Sequence, residues 1–163
     1  MRTTILCCLY LVASAFVSRE SRGADALVHS TAYGFSVAMP DFPKQVDVGV
    51  SVTPITFGGP LSGGKTPSCN VQIQNMGWTL ATFRTQSLGQ FKALGLSLDS
   101  ETPRKVSGKD ALLFVSSGHD LKMLSLAVQV KQSIYLVTCV AAIDQFSHYQ
   151  KTFDQVVDSF SLD

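Results

Sequence analysis

Gly59-Pro60-Leu61-Ser62-Gly63-Gly64-Lys65-Thr66 reproduces the phosphate-loop pattern G-x-x-x-x-G-K-[ST] at every fixed position. That pattern works only with a strand before it and a helix opening at the lysine. Backbone N–H groups and the helix N-terminus then hold the phosphates. Here Pro67 follows Thr66, and Ser68-Cys69-Asn70-Val71-Gln72-Ile73-Gln74 alternates as a strand. Nor does an apolar strand ending in Asp supply a magnesium partner. The string is therefore read as a Gly-rich connection between strands, and nucleotide hydrolysis is rejected.

The other chemistry-bearing residues are scattered. His29, His119 and His148 stand at no metal-ligand spacing to one another, to Cys or to a carboxylate, whereas zinc needs three or four convergent ligands. His119-Asp120 reads as a solvated turn, with a general base as the sharper alternative. His148 lies between two core positions of a helix and is expected at the surface. Asp154 and Asp158 share a helix face four residues apart and could hold a cation or a basic partner. Lys151 is placed to pair with Asp154, and a solvated face is the ordinary reading. Trp78 could anchor a ligand, though such a residue more often covers the end of a core. Cys69 and Cys139 each fall in or beside a strand. They could form one disulfide, or remain two buried free thiols. Cys139 as a nucleophile would need exposure and a base, while Tyr135, Val137 and Ala141 argue for burial. No catalytic, cofactor-binding or metal residues are assigned, and no cofactor is expected.

The elements that must position these residues are clearest in the last thirty positions. Ile134 to Ala142 carries apolar side chains on both parities, so both faces of that strand should be covered. A short turn is expected next. Then Phe146, Tyr149, Phe153, Val156 or Val157, and Phe160 step by three and four, one apolar stripe along a helix. Upstream, Leu124, Leu126, Val128 and Val130 alternate. Ala111 to Val115 is a buried strand, and Ser116 to Asp120 is hairpin chemistry. Leu96 to Val106 is strand-like with Pro103 near its end, and Ser107 to Asp110 is a turn.

Thr79 is a suitable N-cap for a helix marked by Leu80, Phe83, Leu88 or Ser87, Phe91 and Leu94, with Gly95 at C′. Phe35, Val37 and Met39 share one face of a strand stopped by Pro40. Val46, Val48, Val50 and Val52 alternate as a half-exposed strand, and Ile55-Thr56-Phe57 continues it past Pro54 or pairs separately. Leu27 to Ala32 shows no clear period. The reading is α+β: an antiparallel sheet of about six or seven strands, with helices covering both sides.

The chain has 163 residues, 45% apolar and only 15% charged, against about 25% charged in an average chain. Arg2 precedes an apolar run from Ile5 to Val17, and a more polar stretch leads to Ala24-Asp25-Ala26. This is the layout of a secretory signal peptide. Cleavage is expected after Ala26, with Ala24 or Ala15 as alternatives, leaving one domain over 27–163. The run is shorter than the about 20 residues that span a bilayer. Removing Arg2, Arg19, Arg22, Glu20 and Asp25 from 13 basic and 12 acidic residues leaves ten of each. A neutral mature chain without a basic patch argues against nucleic acid and anionic membrane surfaces. The expected location is periplasmic or secreted, without stable membrane insertion after cleavage.

Tyr135-Leu136-Val137-Thr138-Cys139-Val140-Ala141, followed by Phe146, Tyr149, Phe153-Asp154-Gln155-Val156-Val157 and Ser159-Phe160, resembles the end of PsbP-like and DcrB-like proteins. Gly34-Phe35-Ser36-Val37-Ala38-Met39-Pro40 resembles their opening strand. Val106-Ser107-Gly108-Lys109-Asp110-Ala111 resembles the turn before their central hairpin. The resemblance covers the order of elements over nearly all of 27–163 and implies an α/β/α sandwich around an antiparallel sheet. Members of that family include oxygen-evolving-complex subunits, bacterial envelope proteins and a Ran-binding import factor. The resemblance thus implies a non-catalytic binding or accessory role with an unknown protein or envelope component. A photosystem role finds no support in these residues. A small-ligand carrier, with a pocket between helix and sheet, is the alternative; an enzyme comes third.

Overall fold

The computed structural model describes residues 27–42, 46–47, 55–59 and 65–163. The expected signal peptide over 1–26, the alternation beyond Asp47 and the centre of the Gly/Pro loop lie outside the described residues.

Four ten-residue strands form the frame: β6 (Ser97–Val106), β7 (Lys109–Gly118), β8 (Leu121–Val130) and β9 (Ser133–Ala142). They follow β1 (Leu27–Ser30), β2 (Phe35–Ala38), β3 (Val46–Asp47), β4 (Ile55–Gly58) and β5 (Ser68–Gln74). Helix α1 (Leu80–Ala93) precedes the frame; α2 (Ile143–Ser159) and β10 (Ser161–Leu162) follow it. Two-residue turns join the frame strands. Ser107-Gly108 and His119-Asp120 both take positive φ, the backbone twist that a tight hairpin needs. The expected turns at 107–110 and 116–120 are thus shorter, and their flanks belong to strands.

The main sheet is antiparallel, in the order β3-β4-β5-β9-β8-β7-β6. A second sheet, β1-β2-β10, was not foreseen. Its first strand falls in the stretch read as having no period. Four half-polar residues are too short to show alternation against noise.

Side-chain parity divides the core. Leu124, Leu126, Val128, Val137, Cys139 and Ala141 face α2 and join Phe35 and Val37 of the small sheet. Ala127, Ile134, Leu136, Leu112 and Phe114 face α1. Thus both sides of β8 and β9 are buried, as their two-parity apolar content requires. The α2 stripe is fully realised: Phe146, Tyr149, Phe153, Val156 and Val157 are buried. Phe42, just past the Pro40 stop, is buried against the rings of Tyr149 and Phe153. No turn separates β9 from α2, because Ala142 passes directly into Ile143.

Helix α1 is held by its ends. Thr79 Oγ1 accepts from the Thr82 N–H at 3.1 Å, and Gln129 Oε1 accepts from the Leu80 N–H at 2.8 Å. At the other end Leu96 N–H reaches the Phe91 carbonyl and Gly95 N–H the Lys92 carbonyl, with Gly95 left-handed. That is a Schellman stop. Its apolar stripe is weaker than expected. Phe83 alone is buried, Leu80, Leu88 and Phe91 are half-buried, and Leu94 is exposed. Helix α1 packs on β6, β7 and β8.

Candidate interaction surfaces

The structure brings together two features that the sequence offered separately. Lys65 leads into an extended strand, as the Pro67 signal demanded. Its Nζ donates to the carbonyls of His119 at 3.5 Å and Asp120 at 3.3 Å, and lies 3.7 Å from the Asp120 carboxylate. The same two-residue turn binds both helices. His119 Nε2 donates to the Leu94 carbonyl at the end of α1 at 2.6 Å. The Asp120 carbonyl accepts from the Ile143 N–H at the start of α2 at 3.0 Å. Carbonyl acceptors thus engage the lysine and the imidazole that could have done phosphate or acid–base chemistry. The turn ties α1, α2 and Lys65 to one end of the sheet.

The remaining candidates are placed as follows. His29, exposed on β1, shares a 2.7 Å hydrogen bond with Ser36 Oγ. His148 is exposed on α2 with its ring edge-on to Tyr149. Trp78 is half-buried and packs on the α1-side core. Cys69 and Cys139 stand opposite each other across β5 and β9 with Cα atoms 4.1 Å apart, and form a disulfide. Both are buried. Asp158 accepts from Arg104 Nη1 at 2.6 Å. Asp154 accepts from Gln150 Nε2 at 3.0 Å, so its hydrogen-bonding neighbour is an amide. Among the described residues no three His, Cys, Asp or Glu side chains converge as a metal set.

Two open grooves flank these side chains. One, about 720 Å³, runs between the outer face of α2 and the β1–β2 hairpin. Leu27, Ala38, Gln150, Lys151, Asp154 and Asp158 are among its lining. The other, about 530 Å³, lies under the first turn of α1 beside Arg84, Pro103, Lys105 and Asp110. Its cations are matched. Arg84 Nε donates to both Glu101 oxygens at 2.7 and 2.8 Å, and Lys105 pairs with Asp110 at 2.5 Å. The hydrogen bond and charge of Glu101 raise the pKa of the Arg84 guanidinium above its ordinary value. The grooves have no signal in the sequence, because each is built from elements far apart in the chain.

Family models find no match to the sequence, and no curated protein matches it. Solved structures do. Cyanobacterial PsbP (CyanoP) of Synechocystis sp. PCC 6803 superposes with a TM-score of 0.62 at 16% identity, over 88% of this chain and 98% of that one. LpqN of Mycobacterium tuberculosis, described as involved in cell envelope biogenesis, gives 0.63 at 13% identity, over 84% and 89%. PA94 of Pseudomonas aeruginosa, a protein of unknown function, gives 0.55 at 16% identity, over 82% and 93%. At such identities the likeness is one of fold, and that fold is PsbP-like.

Proposed function

From a chain with the PsbP-like fold, we propose an exported accessory protein of the cell envelope that acts by binding rather than by catalysis. The partner is a protein or other envelope component, and the groove along α2 is its docking surface. One observation carries the reading. Lys65 and His119 are tied to backbone carbonyls and Asp158 to Arg104, while the α2 groove lies open beside Asp154, Lys151 and Leu27. A fold shared with LpqN, whose description concerns envelope biogenesis, supports an extracytoplasmic setting; fold alone does not assign a task. Among the described residues no helix is long and apolar enough to cross a membrane.

The grooves are open troughs rather than the largely enclosed pocket that a small-ligand carrier uses, which favours a macromolecular partner. The test is capture from an envelope fraction by the full mature chain, beside a Gln150→Ala/Asp154→Ala variant. A partner retained by the wild type and lost by the folded variant supports the reading. A partner retained equally by both, or a small molecule co-purifying in its place, refutes it.

A further inference from the structure

The sheet face that α1 shares is only half used by that helix. Helix α1 packs on β6, β7 and β8. Beside it, β4, β5 and β9 present a row of polar side chains in cross-strand register. Thr56 is opposite Asn70, Asn70 opposite Thr138, and Thr138 opposite Ser125. Ser68, Gln72 and Gln74 share the same face of β5 by alternation, because Cys69, Val71 and Ile73 point to the α2 core. Thr56, Ser68, Asn70, Gln72, Gln74 and Thr138 are half-buried, neither solvated fully nor sealed.

Two properties mark this face off from an ordinary wet sheet surface. First, among the described residues it carries no charge: the α1-facing positions of β4, β5, β8 and β9 hold no Asp, Glu, Lys or Arg. Second, the Oδ1 of Asn70, in the middle of the row, is shielded from water and has no hydrogen-bond partner. A buried acceptor left unmade is costly, so Asn70 has unspent hydrogen-bonding capacity, while Thr138 accepts from Ser125 Oγ at 3.4 Å. Each amide and hydroxyl both donates and accepts. Three strands at ordinary spacing set Thr56, Asn70 and Thr138 over about 10 Å. Trp78, half-buried, packs on the cluster that contains Ile134 and Leu136.

We propose that this face binds a neutral polyhydroxylated ligand, an oligosaccharide chain laid across β4, β5 and β9. Sugar hydroxyls match alternating neutral donors and acceptors. An ionic ligand would lose its hydration there with no counter-charge to meet it. Trp78 supplies the apolar ring against which a sugar face packs. The surface is separate from the α2 groove, and the inference stands whether or not that groove takes a partner.

The experiment is a titration of the ¹⁵N-labelled mature chain with maltoheptaose, chitohexaose and dextran. Readouts are the side-chain amide signals of Asn70, Gln72 and Gln74, and Trp78 fluorescence. At least one probe is expected to shift these signals together, with a dissociation constant on the order of 1 mM or tighter. Asn70→Ala and the near-isosteric Thr138→Val are each expected to weaken that binding about tenfold, the loss of one or two hydrogen bonds. Asp154→Ala should leave it unchanged. No response to any of the three probes overturns the proposal. So do shifts confined to the α2 groove, binding indifferent to both variants, or concentration-dependent shifts without sugar, which would make the occupant a second copy of the chain.

Discussion

Removing the Cys69–Cys139 bridge should cost this protein a large part of its stability, and the size follows from the chain path. The two cysteines are 70 residues apart in sequence. They join β5 to β9, the seam where the β3-β4-β5 side of the sheet meets the four-strand frame. In the chain-entropy model, closing a loop of that length withholds about 4 kcal/mol of conformational freedom from the unfolded state at 25 °C. Reduction leaves the folded side nearly unchanged, because both thiols remain buried and pack as small apolar groups.

The assay is urea unfolding of residues 27–163, oxidised and fully reduced, followed by circular dichroism. With a slope of about 2 kcal/mol per molar, the reduced midpoint should fall by about 2 M. Because the sulfurs are shielded, reduction of the native protein should be slow and should quicken in sub-denaturing urea. Coincident midpoints for the two forms would refute the argument. Two thiols titratable without reductant would show that the bridge is not made at all.

Phe153 lies at the centre of the α2 core, with rings of Phe42, Phe146 and Tyr149 around it. Phe153→Ala should cost about 3–5 kcal/mol, read as a loss of the cooperative unfolding transition or a sharp drop in its midpoint. Thr79→Ala removes the acceptor for the Thr82 N–H and should cost about 1 kcal/mol by the same measurement. Asp120 holds a left-handed backbone with φ of 58° and a side chain 94% exposed. Asp120→Gly should therefore stabilise by roughly 0.5–1 kcal/mol, visible as a rise in melting temperature; a fall would mean that its 3.7 Å contact with Lys65 matters more than the strain. Arg104 and Asp158 are both well exposed. A double-mutant cycle on them should give a coupling under about 1 kcal/mol that shrinks with salt.

Much of the fold was legible because the signals are local. A two-parity apolar strand, a three-and-four stripe, a Thr cap and a Gly stop are written within a few residues of where they act. The seven strands of the main sheet, the two helices and the burial of β8 and β9 on both sides followed from such signals. The misses have physical causes. The stripe of α1 is weaker than its spacing suggests: Leu94 is exposed, and its carbonyl is held by His119 Nε2 from a distant hairpin. The small sheet depends on β10, two residues long, returning to β2 from the far end of the chain.

By itself the sequence determined which segments are strands and helices along the frame, which of their faces must be dry, and that a strand rather than a helix follows Lys65. These are consequences of period, caps and breakers. Only the tertiary structure decided that Cys69 meets Cys139, that Lys65 and His119 close on one turn, and that half of one sheet face is left polar and uncharged beside α1. Each of those depends on register between strands distant in the chain. Register is set by the packing of whole layers, which no short stretch of residues contains.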